Sequence, residues 1–242
     1  MKKTYWTDYW SKQTHGQHRF QQEDFLKDES EEKLFHLGKG ENLLDFGCGS
    51  ADLLAYYAQF YTFCIGADCS TLMLEKANKR LNAFNQHNVQ LIEANTDQIW
   101  KNIENKLGKD FQFDRITTGQ VIQYLDKKQV EDFIYNSTLH LTNTGKICLF
   151  DIVDSRMYEL WQAGLFASNS FNFSVLLKLI YGRLRAFFNN WRGKPSNSLG
   201  YAYPPTFFMN LAEKYNLKIL YFNSMYYEYR YHILFYKGEN NG

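Results

Sequence analysis

The chain of 242 residues is long enough to bury a substantial core and falls within the span of one α/β domain. With 27 Lys and Arg against 26 Asp and Glu, its formal charge of +1 gives no ground for nucleic acid or another polyanion as partner. No stretch approaches the roughly 20 apolar residues that cross a bilayer, and residues 1–10 lack the apolar core of a signal peptide.

Residues 1–40 read as an aromatic, partly helical arm, opening with Tyr5-Trp6-Thr7-Asp8-Tyr9-Trp10 and followed by His15 and His18. From residue 42 onward, strand-like and helix-like runs alternate, the pattern of a parallel sheet flanked by helices. Strands are expected near 42–46, 62–67, 89–94, 113–118, 146–151, 218–223 and 229–236. Between them, Ser70 is a good N-cap for a helix carrying Leu74, Ala77 and Leu81 at helical spacing. Further helices are expected over 128–139 and 205–215. Residues 155–203 read as a helical cap inserted into the single domain 1–242. The last two strands are separated by only 224–228, too few residues for a helical crossover, so they must pair as an antiparallel hairpin. The expected fold is therefore a doubly wound, seven-stranded, mostly parallel α/β sheet ending in that hairpin. The four cysteines, Cys48, Cys64, Cys69 and Cys148, show no CxxC pairing and lie in or beside apolar runs, which suits reduced thiols in the cytoplasm.

The segment from Leu43 to Ala51 is an apolar strand ending in Asp45, then the turn Gly47-Cys48-Gly49. Glycines here allow positive φ and close approach of a ligand to the backbone, although strand-to-helix turns also use glycine for purely structural reasons. Asp45 would repel a pyrophosphate in this position, which favours a cationic nucleoside over a dinucleotide. Asp68 closes the next strand about 20 residues beyond the glycines, the distance at which an acid meets ribose hydroxyls. Capping of the Ser70 helix is its structural alternative.

Asp45-Phe46-Gly47-Cys48-Gly49-Ser50-Ala51 resembles the first motif of class I S-adenosylmethionine-dependent methyltransferases. Gly66-Ala67-Asp68-Cys69-Ser70 is similar to that family's second motif, and the likeness extends through Glu93-Ala94-Asn95, Gly119-Gln120-Val121 and the strand ending at Asp151. Ala51 stands where the fullest motif has a third glycine, acceptable if the helix has begun there. The resemblance implies S-adenosylmethionine as cofactor. Asp68 would hold the ribose hydroxyls, Asn95 the adenine edge, and Asp45 and Gly47 the methionine end, with Thr96 also in the cofactor shell. Cys48, Gly49, Cys69 and Tyr9 would complete the cofactor shell, and Gln120 would sit beside the transferable methyl group. The rival assignments are a nicotinamide-dependent oxidoreductase, disfavoured by Asp45 and the hairpin, and a non-catalytic cofactor-binding module.

Methyl transfer is an in-line displacement that needs alignment, exclusion of water and, for some acceptors, a base. His18 and Asp151 are the base candidates; stapling of the arm through Trp6 and Trp10 and capping by Asp151 are the structural alternatives. The sequence lacks the Asn/Asp-Pro-Pro-aromatic motif of base-amino methyltransferases, the paired glutamates of protein-arginine enzymes and the Pro-Cys nucleophile of cytosine enzymes. A small-molecule or glycan-like acceptor remains, methylated at oxygen. Residues 171–191 carry Lys178, Arg183 and Arg185 among apolar residues at helical spacing, suiting a cap over a phosphate-bearing, envelope-related acceptor or a peripheral contact with anionic lipid.

Overall fold

The computed structural model describes residues 9, 10, 12, 13, 22–162, 177, 180–182, 184, 188 and 200–237. Seven strands form one sheet in the order β3-β2-β1-β4-β5-β7-β6. They are β1 (Asn42–Phe46), β2 (Phe63–Asp68), β3 (Val89–Glu93), β4 (Phe113–Gly119), β5 (Leu141–Val153), β6 (Leu217–Asn223) and β7 (Arg230–Lys237). The first five are mutually parallel, whereas β7 runs antiparallel to both β5 and β6. The hairpin read from the short 224–228 connection is therefore present, with β7 inserted between β5 and β6. Strand β5 starts earlier than the sequence pattern suggests, because Leu141 pairs with Phe113 ahead of a register shift.

Alternate strand residues feed two cores, one on each face of the sheet. Leu44, Ile65, Ile116 and Leu149 pack on one face, and Leu43, Cys64, Cys148 and Leu234 on the other. The helices that cover these faces are α1 (Glu23–Leu37), α2 (Leu54–Tyr57), α3 (Thr71–Ala83), α4 (Ile99–Leu107), α5 (Lys127–Leu139), α6 (Ser155–Gln162) and α7 (Pro205–Lys214). Helix α3 starts as its sequence dictates: the Ser70 side chain accepts from the Met73 N–H, and Met73, Ala77 and Leu81 are buried four residues apart. Helix α5 opens with a reciprocal cap between Asp126 and Gln129. Pro205 sits in the first turn of α7, where its missing N–H costs nothing.

Two positions depart from expectation. Ala51 adopts φ +60 and helix α2 begins only at Leu54, so this residue holds a left-handed turn rather than the first helical turn. A non-glycine residue in that conformation carries a strain of about 1–2 kcal/mol. Asp151 also has a positive φ, +55, within the β5–β7 irregularity between Leu149 and Ile152. That bulge turns its side chain into the protein interior.

The sheet order reverses between β1 and β4: the chain winds outward through β2 and β3, then crosses back to lay β4 beside β1. In open α/β sheets, the crevice at the carboxyl ends of strands flanking such a reversal is where ligands bind.

Candidate active site

A cleft of about 1150 Å³, its open mouth included, lies at the reversal between β1 and β4. Asp45, Gly47, Cys48 and Gly49 line it from the end of β1, Asp68 and Cys69 from β2, Asn95 and Thr96 from β3, and Gln120 from β4. Nine of the sequence-derived site residues thus come together from four strand ends.

The glycine turn is built from backbone bonds. Gly47 N–H and Cys48 N–H both donate to the Ala67 carbonyl, at 2.7 and 3.0 Å, binding the turn to the end of β2. Gly47 has φ +80, and a Cβ on it would come within 2.2 Å of Val121 Cγ2, so a side chain is excluded on two grounds. Gly49 also has a positive φ, yet a Cβ there would meet nothing within 4 Å. The space above it therefore lies open for a ligand that approaches the backbone.

Asp68 makes the contact at the start of the Ser70 helix that its structural reading suggests, and it stands in the cleft wall. Its Oδ1 accepts from Ser70 N–H at 2.8 Å, at the start of α3, and its Oδ2 accepts from Gly49 N–H at 3.0 Å. Each carboxylate oxygen can accept more than one hydrogen bond, so capacity remains on the cleft side for hydroxyl donors. Burial raises the Asp68 carboxyl above the usual range, opposed by the backbone N–H groups of Ser70, Gly49 and Cys69. Asn95 Oδ1 accepts from Asp97 N–H at 3.0 Å, which fixes the amide at the cleft wall. Burial, then Asp68 and Asp45, push the Cys48 thiol well above its ordinary pKa, so it serves as a neutral wall and not as a nucleophile.

The residues present fit an adenosine-bearing cation. A carboxylate stands at the β2 end for the ribose, an open glycine backbone takes the close approach, and Asp45 stays in the cleft wall although only 6% exposed. Against this geometry, the family model described as a methyltransferase domain matches residues 44–147. Residues 44–147 thus match a methyltransferase domain, and the fold around them is that of methyltransferases of known structure. Among curated proteins the chain is similar to the probable cobalt-precorrin-6B C(15)-methyltransferase (decarboxylating) of Methanocaldococcus jannaschii, 27% identical over 133 residues that cover 55% of this chain and 70% of that protein. Among solved structures, an O-methyltransferase family protein from Burkholderia thailandensis superposes with a TM-score of 0.60 at 11% identity, covering 90% of this chain. This chain spans 56% of that protein's length. The magnesium protoporphyrin IX methyltransferase of Synechocystis PCC 6803 with bound S-adenosylhomocysteine gives 0.56 at 11% identity, over 89% of this chain and 83% of that one. S-adenosylmethionine is the cofactor that a methyltransferase domain over residues 44–147 calls for, and the cleft residues fit it.

Two sequence-derived site residues, Tyr9 and Asp151, fall outside the cleft lining. His18 lies outside the described residues. Tyr9 is 40% exposed with its ring edge against Trp10, and it is Trp10 that lines the cleft, packed on Tyr124 at 5.3 Å. Asp151 is not a cleft residue. Its side chain is fully buried, 3.0 Å from Lys33 Nζ, and its Oδ1 accepts from Ser224 Oγ at 2.9 Å. Although burial alone would raise its carboxyl, Lys33 and Arg230 hold it well below the usual range, so it takes no proton from an acceptor near neutral pH.

Asp151 belongs instead to a buried ionic network that the sequence did not disclose. Lys33 lies 2.9 Å from Glu29 and 3.5 Å from Glu32, and the three side chains have almost no solvent contact. Glu32 Oε1 faces His232 Nε2 at 3.2 Å and accepts from Met225 N–H at 2.7 Å. His232 Nδ1 accepts from Asp151 N–H at 3.0 Å, which leaves the ring proton on Nε2, toward Glu32. Arg230 donates from one nitrogen to both the Asp151 carbonyl and Gln123 Oε1. The network ties α1 to the ends of β5 and β7 and to the 224–229 loop. That loop delivers Tyr227, whose Oη accepts from Gln120 Nε2 at 3.3 Å. Burial raises the Tyr227 phenol, with Glu29 and Asp151 adding to the shift, so it remains protonated beside the cleft.

Proposed function

We propose that this methyltransferase transfers its methyl group to an oxygen of a small-molecule or glycan-like acceptor, one that bears phosphate and belongs to the cell envelope. In this reading Asp68 holds the ribose hydroxyls, Asn95 and Thr96 the adenine edge, and Asp45, Gly47 and Gly49 the methionine end, with Cys48 and Cys69 as walls. The cofactor supplies an electrophilic methyl on a sulfonium. Gln120 and Tyr227 stand on the acceptor side, where the protonated phenol can donate a hydrogen bond to an acceptor oxygen and fix its approach. His18 is the proposed proton acceptor, since Lys33 already claims the carboxylate of Asp151.

One observation carries the acceptor class: residues 160–212 contain no Asp or Glu but five cations, Lys178, Arg183, Arg185, Arg192 and Lys194. This segment begins in the last turn of α6, where Trp161 packs at 4.7 Å on Tyr229, in the loop that holds Tyr227. A phosphate on the acceptor finds its counter-charge there. The proposed location is cytoplasmic, peripheral to the inner face of the membrane.

The test is transfer of labelled methyl from S-adenosylmethionine to a panel of nucleotide-linked sugars, lipid-linked glycans and their dephosphorylated counterparts. A methyl ether formed faster on the phosphate-bearing members is the expected product. Equal rates on the dephosphorylated members, or transfer confined to nitrogen or carbon acceptors, contradicts the proposal.

A further inference from the structure

The turn after β1 has most of its donors committed within the protein. Gly47 N–H and Cys48 N–H donate to the Ala67 carbonyl, Gly49 N–H to Asp68 Oδ2 and Ala51 N–H to the Cys48 carbonyl. The Ser50 hydroxyl donates to Asp52 Oδ2 at 2.8 Å. Asp45 and Asp52, which also line the cleft, are carboxylates that accept hydrogen bonds and do not donate them. This turn therefore offers an anion to the ammonium at the methionine end of the cofactor, and little to the carboxylate that the same end carries. That carboxylate needs a donor from another element.

Trp10, from the N-terminal arm, lines the same cleft and carries such a donor. Its indole N–H is shielded from solvent, yet it finds no acceptor among the described residues. Native proteins pair nearly all buried donors, because one left unmade is destabilising, so an unpaired N–H in a cleft wall marks a place for a ligand's acceptor. The ring is held in position from the β4 side. It rests edge-on against Tyr124 at 5.3 Å, the Tyr124 Oη accepts from Gln123 Nε2 at 2.7 Å, and Gln123 Oε1 accepts from the buried Arg230. We infer that Trp10 donates its indole N–H to the carboxylate at the methionine end of the cofactor and so ties the arm to the bound ligand. The inference rests on the cofactor placement proposed above, in which Asp68 takes the ribose, Asn95 and Thr96 the adenine, and Asp45 the ammonium. The carboxylate is the cofactor group to which that placement gives no partner, and a hydrogen bond to an anion is stronger than one between neutral groups.

The test is calorimetry on the full chain with two ligands, S-adenosylhomocysteine and its decarboxylated analogue, which keeps the adenosine, the thioether and the amine. Trp10→Phe keeps an aromatic ring against Tyr124 and removes the donor. S-adenosylhomocysteine should bind the variant about 10-fold or more weakly than the parent, the value of one hydrogen bond to a charged group. The decarboxylated analogue should bind both proteins within about 2-fold, which also shows that the variant keeps its fold. Equal weakening of the two ligands overturns the inference, since the ring would then act by packing alone. Unchanged S-adenosylhomocysteine affinity overturns it as well, because the N–H would then serve the methyl acceptor or nothing. Either result, with a parent that binds S-adenosylhomocysteine, leaves the methyltransferase reading standing. A parent that binds neither ligand overturns both.

Discussion

Replacing Lys33 by Met leaves a side chain of similar length but removes the one lysine from among Glu29, Glu32 and Asp151. The Lys33–Asp151 separation of 3.0 Å corresponds to about 5 kcal/mol of Coulomb attraction at an effective dielectric near 20. Loss of one partner from a buried ion pair typically costs about 3–5 kcal/mol, because the remaining charge stays desolvated. For a chain of this size that is a fall in Tm of roughly 6–20 °C. The pH dependence follows from the directions of the shifts. Asp151 is held below its ordinary range, so its stabilisation is present above about pH 4 and is lost as the pH falls through that region. Lys33 is held above the ordinary lysine range, so its stabilisation is present below about pH 10 and is lost as the pH rises beyond that. The parent should therefore show little change from this pair between about pH 5.5 and 7.5. In the variant, burial without the Lys33 ammonium raises the carboxyls, and the penalty is relieved as they take up protons. Urea unfolding followed by tryptophan fluorescence should give a larger stability loss at about pH 7.5 than at about pH 5.5. A loss below about 1 kcal/mol, or one that is equal at the two pH values, would refute a charge-bearing network.

Gly47→Ala should weaken S-adenosylhomocysteine binding and lower stability by about 1–3 kcal/mol, since the new methyl meets Val121 Cγ2 at 2.2 Å; adding Val121→Ala should recover part of the stability loss, measured by thermal unfolding. Tyr227→Phe should leave S-adenosylhomocysteine affinity within about 2-fold in calorimetry while slowing methyl transfer about 10-fold or more, the value of one hydrogen bond to the acceptor. Burial holds the Cys64 and Cys148 thiols up at about 12, so alkylation of the native protein at about pH 8 should leave both unmodified by mass spectrometry, and rapid labelling of either would contradict their packing.

The fold was largely legible because each cue was local. The apolar run before Gly47, the Ser70 cap and the five-residue gap before Tyr229 each admit few structures. The residues that line the cleft were legible because they stand at strand ends, a position that sequence pattern locates well. The failures share a different cause. In α1 the buried stripe is Leu26, Glu29, Ser30, Lys33 and Leu37, and such charged positions look like a solvated face until their partners on β5 and β7 are known. Asp151 was misread because an extended strand would aim it at the cleft, whereas its positive φ turns it to Lys33. Trp10 was passed over for Tyr9 because neighbouring aromatics cannot be ranked without knowing how the arm turns. Ala51 was placed in a helix that starts three residues later, its left-handed turn being invisible in a residue type that seldom adopts one.

Everything proposed for the cleft depends on the carboxylate at the end of β2 meeting an adenosine ribose. Calorimetric titration of S-adenosylhomocysteine into the parent and Asp68→Ala proteins tests this directly. Two hydroxyl contacts to a charged acceptor predict affinity at least ~10-fold weaker in the variant, with 2′,3′-dideoxygenated ligand showing no such difference. Equal affinity of both proteins for S-adenosylhomocysteine would contradict the account.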